Sequence, residues 1–191
     1  MTPIVFNGYQ FVKDFQPQLK KRVEALQAQG CQPHIAAFYF QEDAGSVLYT
    51  KKKAQAAQQL GIKYQTLSFA INTPVQQVLA QLRELNQQDQ VTGIIIQKPT
   101  KTTYKSIKTS KSFTNWWQQL VKQIKLSKDV DGLHPKTLQS IKQGQWQSQG
   151  HVLPATTRAV LKILALAKQQ LKLRSLAKVL ILGRSDLLGK P

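Results

Sequence analysis

Residues Gly45 to Ile62 read GSVLYTKKKAQAAQQLGI and put Tyr49 four residues before Lys53, the last of three consecutive lysines. On a helix these two side chains share a face, and Lys51 and Lys52 point elsewhere while raising the local positive potential. A lysine among cations, with a tyrosine hydroxyl beside it, suits proton transfer near neutral pH. Taken alone, the same spacing also describes a basic helix face in water. Gln97 closes an apolar run and is followed by Lys98 and Pro99. A glutamine there can both donate and accept, holding a ligand or orienting a neighbour, or it can simply end a strand. Asp129 and Asp131 flank Val130 just before Gly132. Such a carboxylate can take two parallel hydrogen bonds from an amidine-like edge, as in a pterin or guanine, or serve the backbone amides of a turn. His34, His134 and His151 are scattered, and the single cysteine is Cys31. That spacing argues against a zinc site, and one cysteine allows no internal disulfide.

The elements that must carry these residues follow from periodicity. Residues 9–29 have the spacing of an amphipathic helix, with Gly30 as its stop. HIAAFYF (34–40) is short, apolar and aromatic, a buried strand. The Tyr49–Lys53 segment reads as a helix with Ser46 as N-cap, several alanines, and Gly61 past its end. KYQTLSF (63–69) predicts a second strand, 73–88 a helix capped by Thr73 with Pro74 in its first turn, and VTGIIIQ (91–97) a third strand. This alternation predicts an α/β fold with a mainly parallel sheet. Residues 98–128 hold eight lysines and no acid, with Phe113, Trp116, Trp117, Leu120, Val121 and Ile124 on one helical stripe. The stripe can pack on the core with its lysines in water, or present aromatics and cations to nucleic acid or an anionic membrane. KDVDGLHP (128–135) is turn-rich. A helix over 154–173, with Thr156 as cap, precedes a strand at 178–182 and a glycine-containing loop. One strand and one turn begin a dinucleotide-binding unit without completing it.

Composition sets the frame. The chain has 191 residues, 41% of them apolar, which suffices for a real core. Lysine and arginine outnumber acids 27 to 9, a net charge of +18 that attracts phosphates, anionic membranes or polyanionic small molecules without choosing among them. No signal peptide or membrane span is legible, so the expected location is the cytoplasm.

The order and spacing of these motifs resemble the bifunctional methylenetetrahydrofolate dehydrogenase/methenyltetrahydrofolate cyclohydrolase family, the FolD type. The pieces are Ser46, Tyr49, Lys53, Gly61-Ile62, Gly93-Ile94, Gln97, Pro99, Lys128 to Gly132, His134-Pro135, Pro154, Thr156 and Gly183 to Pro191. The resemblance covers essentially the whole chain. It implies an N-terminal three-layer α/β folate-binding domain (1–150), followed by a linking helix and only the first strand and loop of a Rossmann domain (151–191). It further implies that Lys53 is the acid/base of the cyclohydrolase step, that Gln97 hydrogen-bonds and tunes it, and that Tyr49 stacks on or orients the folate and Lys53. Ser46, Gln97, Pro99 and Asp131 would bind substrate, with Asp131 on the pterin edge. Gly183, Arg184, Ser185 and Gly189 would contact the phosphates of NADP, or of NAD. No metal is expected, and the implied assembly is a homodimer.

The sequence departs from the family pattern in places. Phe40-Gln41-Glu42 stands where Val-Gly-Asp is usual, Lys101 replaces the second proline after Gln97, and Thr137 and Gln139 replace Asn and Gly. The segment 98–128 is longer than usual. Pro154 to Ala159 keeps Thr156 but loses a second proline and a glycine. Most of the nucleotide domain is absent, so the expectation is an incomplete sequence whose 191 residues lack dehydrogenase activity. The rival expectations are a basic nucleic-acid-binding module built on 98–128 and a monofunctional cyclohydrolase.

Overall fold

The computed structural model describes residues 5–108 and 112–172. Two compact units divide the chain, Phe15–Val130 and Met1–Asp14 with Asp131–Pro191. The first helix, α1 (Gly8–Ala28), is followed by β1 (His34–Phe40), α2 (Ala44–Gln59), β2 (Lys63–Phe69), α3 (Val75–Gln87) and β3 (Gly93–Ile96). Then come α4 (Lys101–Ile107), α5 (Phe113–Lys122), a 3-10 turn at Leu126–Lys128, α6 (Pro135–Lys142) and α7 (Ala155–Gln170).

The three strands form a parallel sheet in the order β2-β1-β3. His34 aligns with Lys63 and Phe40 with Phe69 on one side, and Ile35 with Gly93 and Phe38 with Ile96 on the other. β1 is central, and Ala36, Ala37, Phe38 and Phe40 are almost wholly enclosed. A parallel strand covered on both faces reads as one apolar run, which is why HIAAFYF shows no alternation. β2, at the edge, leaves Lys63, Gln65, Thr66 and Ser68 exposed. α2 packs on β1 and β2, and α3 packs on α5. The architecture is α/β with a parallel sheet, as the alternation of elements indicated.

Helix ends differ from the sequence expectation in three places. The cap of α2 is Asp43, whose side chain accepts from the Ser46 amide. Ser46 is therefore the third helical residue, one turn later than a cap. α3 has Pro74 at its cap position with no side-chain bond, so Thr73 lies outside the helix. α7 begins after Pro154, which leaves Thr156 as its second residue. In the last two helices a proline with preset φ takes the boundary position in place of a hydroxyl cap. The end of α2 matches expectation. Gly61 has φ +77°, Ile62 N–H reaches the Ala57 carbonyl at 2.9 Å, and Gly61 N–H the Gln58 carbonyl at 3.1 Å. That left-handed closing turn favours glycine.

The lysine-rich segment docks by its aromatic residues. Trp116 lies 4.9 Å from Phe40 and 4.8 Å from Tyr104, ring centre to ring centre, and Tyr104 lies 5.1 Å from Phe113. Trp116 and Trp117 are buried, while Lys101, Lys105, Lys122 and Lys125 are exposed. Lys98 sits over the rings of Phe113 and Trp117 at 5.6 and 5.3 Å, and Lys108 over Trp116 at 5.9 Å. The aromatic stripe thus packs on the core, and two of the lysines lie against its rings. No helix among the described residues is long and apolar enough to cross a membrane.

In the other unit, the His134 ring nitrogen Nδ1 accepts from the Lys136 amide and caps α6, and His151 pairs with the Ser140 hydroxyl at 2.7 Å. The expected strand at 178–182 lies outside the described residues.

Candidate active site

The inward face of α2 carries Ser46, Thr50 and Ala57, all buried. Lys53 falls on the same stripe by helical spacing and is half-buried, whereas Lys51 and Lys52 are exposed. The helix thus separates the three lysines that the sequence runs together. Lys53 Nζ donates to Gln97 Oε1 at 3.3 Å. Gln97 follows β3 directly, and its backbone N–H is held by the Phe38 carbonyl at 2.8 Å. The glutamine therefore starts from a fixed backbone, and its carbonyl oxygen orients the amine. This pair lies beyond the carboxyl ends of parallel strands, where open α/β sheets hold ligands. Tyr49, one turn before Lys53, is 59% exposed and presents its ring to solvent.

The loops around this pair are tied by carboxylates. Asp43 is buried, and its Oδ1 accepts from the Ser46 amide at 2.8 Å while Oδ2 accepts from the Thr100 amide at 2.8 Å. Burial works against its charge, but the amide bonds from Thr100 and Ser46 outweigh that and hold the carboxyl below its ordinary value of 3.8. Glu42 accepts from the Ile71 amide with both oxygens, at 3.1 and 3.0 Å, at the exit of β2. Pro99 is buried between Gln97 and Thr100. The Ser46 hydroxyl is enclosed and makes no hydrogen bond.

Behind the site, Gly93 accounts for the Gly-Ile motif in β3. A Cβ on residue 93 would stand 2.7 Å from a Val130 methyl carbon, so only glycine lets this segment approach. Asp129 pairs in parallel with Ile94 and is buried. Lys128 is buried too, and its Nζ donates to the carbonyls of Leu85, Asn86 and Gln88 at 2.9, 2.9 and 2.7 Å. It closes the carboxyl end of α3, where carbonyls lack helical partners. Burial, and then the charge of Lys125, lower its pKa below 10.5, and Asp89 works the other way.

The structure thus brings together Lys53 and Gln97, with Ser46 on the same helix and Pro99 two residues past Gln97. Asp131 belongs to the other unit, half-buried beside Gly132. Gly183, Arg184, Ser185 and Gly189 lie outside the described residues. Sequence reasoning missed Asp43. The signal was available, because an aspartate three residues before Ser46 is a cap in its own right. It also missed the buried role of Lys128, for which local sequence holds no cue. Among the described residues no group of three or more histidine, cysteine or acidic side chains could hold a metal ion.

Residues 6–131 match the family described as tetrahydrofolate dehydrogenase/cyclohydrolase, catalytic domain. The chain belongs to that family. A curated relative from Bacillus licheniformis, the bifunctional protein FolD, is 30% identical over all 191 residues. A FolD protein from Staphylococcus saprophyticus is 28% identical over the same span. The chain spans 61% of the length of each of these two relatives. The FolD methylenetetrahydrofolate dehydrogenase/cyclohydrolase of Campylobacter jejuni superposes with a TM-score of 0.76 at 25% identity, covering 94% of this chain and 58% of that one. As a member of this dehydrogenase/cyclohydrolase family, the chain places its Tyr49–Lys53 helix and its Gln97 strand end within the matched residues.

Proposed function

We propose that the protein acts in folate one-carbon interconversion, oxidising 5,10-methylenetetrahydrofolate to 5,10-methenyltetrahydrofolate with NADP and hydrolysing the product to 10-formyltetrahydrofolate. The observation that carries this reading is the Lys53–Gln97 hydrogen bond at the carboxyl end of the sheet. In the hydrolytic step water attacks the methenyl carbon. Lys53 takes the proton that water gives up and returns one to the departing ring nitrogen. Gln97 accepts one amine hydrogen and so helps turn the amine towards the attacking water. Tyr49 lies one turn from the amine with its ring free to stack on the folate. Ser46 and Pro99 line the substrate's surroundings, and Asp131 grips the pterin edge. The basic surface suits the glutamate tail of folate.

NADP supplies hydride acceptance when bound, and the protein's part in that step is positioning. The reading of Gly183, Arg184, Ser185 and Gly189 as phosphate contacts rests on their sequence alone. The division into a catalytic domain over 1–150 and a nucleotide-binding start over 151–191, the homodimer and the cytoplasmic location belong to the same proposal. Lys53→Ala is expected to lower hydrolysis of methenyltetrahydrofolate by roughly a hundredfold or more while leaving the far-ultraviolet circular dichroism unchanged. An unaltered rate would remove Lys53 from the chemistry.

A further inference from the structure

Lys53 and Gln97 reach each other from different elements, so something must hold α2 at the right height beside the exit of β3. We infer that Asp43 is the positioning residue that does this, strapping the first turn of α2 to the β3 exit and thereby setting the Lys53–Gln97 separation. The inference rests on the proposed roles of Lys53 and Gln97.

The geometry separates a strap from an ordinary cap. A cap needs one oxygen, and Asp43 Oδ1 fills that need at the Ser46 amide. Its second oxygen is spent on the Thr100 amide, 57 residues away in sequence and three residues past Gln97. Both bonds are 2.8 Å, and Asp43 is only 3% exposed, so water is no ready substitute for the carboxylate at the buried Ser46 amide. Gly45 leaves room for this arrangement, since a Cβ there would stand 3.2 Å from the capping oxygen. The stiff run Pro99-Thr100 passes any shift of Thr100 back towards Gln97, and α2 passes any shift of Ser46 forward towards Lys53. The neighbouring Glu42 performs a related task at a different place, the Ile71 amide at the exit of β2. Its side-chain hydrogen bonds go to Ile71 and to neither α2 nor the β3 exit, so it provides an internal control.

Four substitutions cut or spare the strap. Asp43→Asn keeps one acceptor oxygen but turns an amide donor towards the other N–H, so it can serve one of the two amides and not both. Thr100→Pro removes the donor from the opposite end, because Thr100 already has φ −66° and ψ 147°, values that proline adopts. Thr100→Ala removes only the hydroxyl and controls for the loss of the α4 cap. Glu42→Gln spares the strap. Two readouts are taken on the full 191-residue chain. The first is the NMR shift of the Gln97 side-chain amide and its response to Lys53→Met, which reports the contact directly. The second is hydrolysis of methenyltetrahydrofolate together with the dissociation constant for tetrahydrofolate.

The expected result is that Asp43→Asn and Thr100→Pro each erase the response of Gln97 to Lys53→Met. Each also lowers the hydrolytic rate by about tenfold with binding altered by less than about twofold, and the double variant loses little more than either single one. Thr100→Ala and Glu42→Gln keep the wild-type response. The inference is overturned if the Gln97 response survives in both strap variants, or if Glu42→Gln abolishes it equally. Should Asp43→Asn fail to fold, the Thr100→Pro and Thr100→Ala comparison decides the same question. Loss of the Gln97 response with Lys53→Ala hydrolysing normally upholds the strap and refutes the catalytic reading, so the two failures are distinct.

Discussion

Three adjacent lysines differ only in which way the helix turns them. Lys53 shares the buried stripe of Ser46, Thr50 and Ala57, and Lys51 and Lys52 face water. Replacing Lys51 and Lys52 by glutamine is therefore expected to change hydrolysis by less than about threefold at moderate salt, measured beside Lys53→Ala, because screened surface charges act weakly. His34 offers a second test at this scale. Its ring nitrogens are buried, and burial, then the charge of Lys63, lower its pKa below 6.5, with a backbone hydrogen bond at Gln90 opposing them. The folded state therefore prefers neutral imidazole. Stability is expected to fall as pH drops from 6.5 through the lowered value, since the unfolded chain takes up the proton first. Urea midpoints across this range should decline for the wild type and flatten for His34→Leu. The Lys53–Gln97 contact was legible in the sequence because the spacing of both residues survives as motif. Asp43 was missed, and Ser46 taken as the cap, because a cap depends on where the helix starts. Asp43 and Ser46, three residues apart, both have side chains that can cap.

Elements were legible where periodicity was strong. The stripe Phe113, Trp116, Trp117, Leu120 and Val121 named its own helix, and the structure buries its two tryptophans. Trp116→Ala should cost roughly 3–5 kcal/mol, read as a lowered urea midpoint, because the ring fills the space between Phe40 and Tyr104. Helix ends were less legible, since Pro74 and Pro154 displaced the hydroxyl caps that composition favoured. The closing of α3 was invisible, because its partner Lys128 comes from 40 residues beyond Gln88. Lys128→Met keeps the stem and deletes the amine, leaving three carbonyls short of a donor. The expected loss is about 1.5–3 kcal/mol, measured by denaturant unfolding.

At the scale of the molecule, the family followed from the order of the motifs along the chain, although each motif alone had an ordinary alternative. Order is informative because it assigns each motif to its element, a helix after the first strand and the end of the third. The charge of +18 was legible as a number and silent as a purpose. The burial of Trp116 and Trp117 withdraws their faces from base stacking, so attraction of the lysine-rich segment to polyanions should be mainly electrostatic. Binding to single-stranded RNA is accordingly expected to vanish between about 50 and 200 mM salt, by filter retention, while folate binding persists.

The amine of Lys128 has one more consequence. With all three of its hydrogens engaged by carbonyls, it has no room to meet an acylating reagent. In a mass-spectrometric footprint with such a reagent, Lys51 and Lys52 should label at once, and Lys128 only when the chain unfolds. The molecule therefore carries its own calibrated reporter of intactness, a lysine whose silence certifies the native fold in any sample used to study the site.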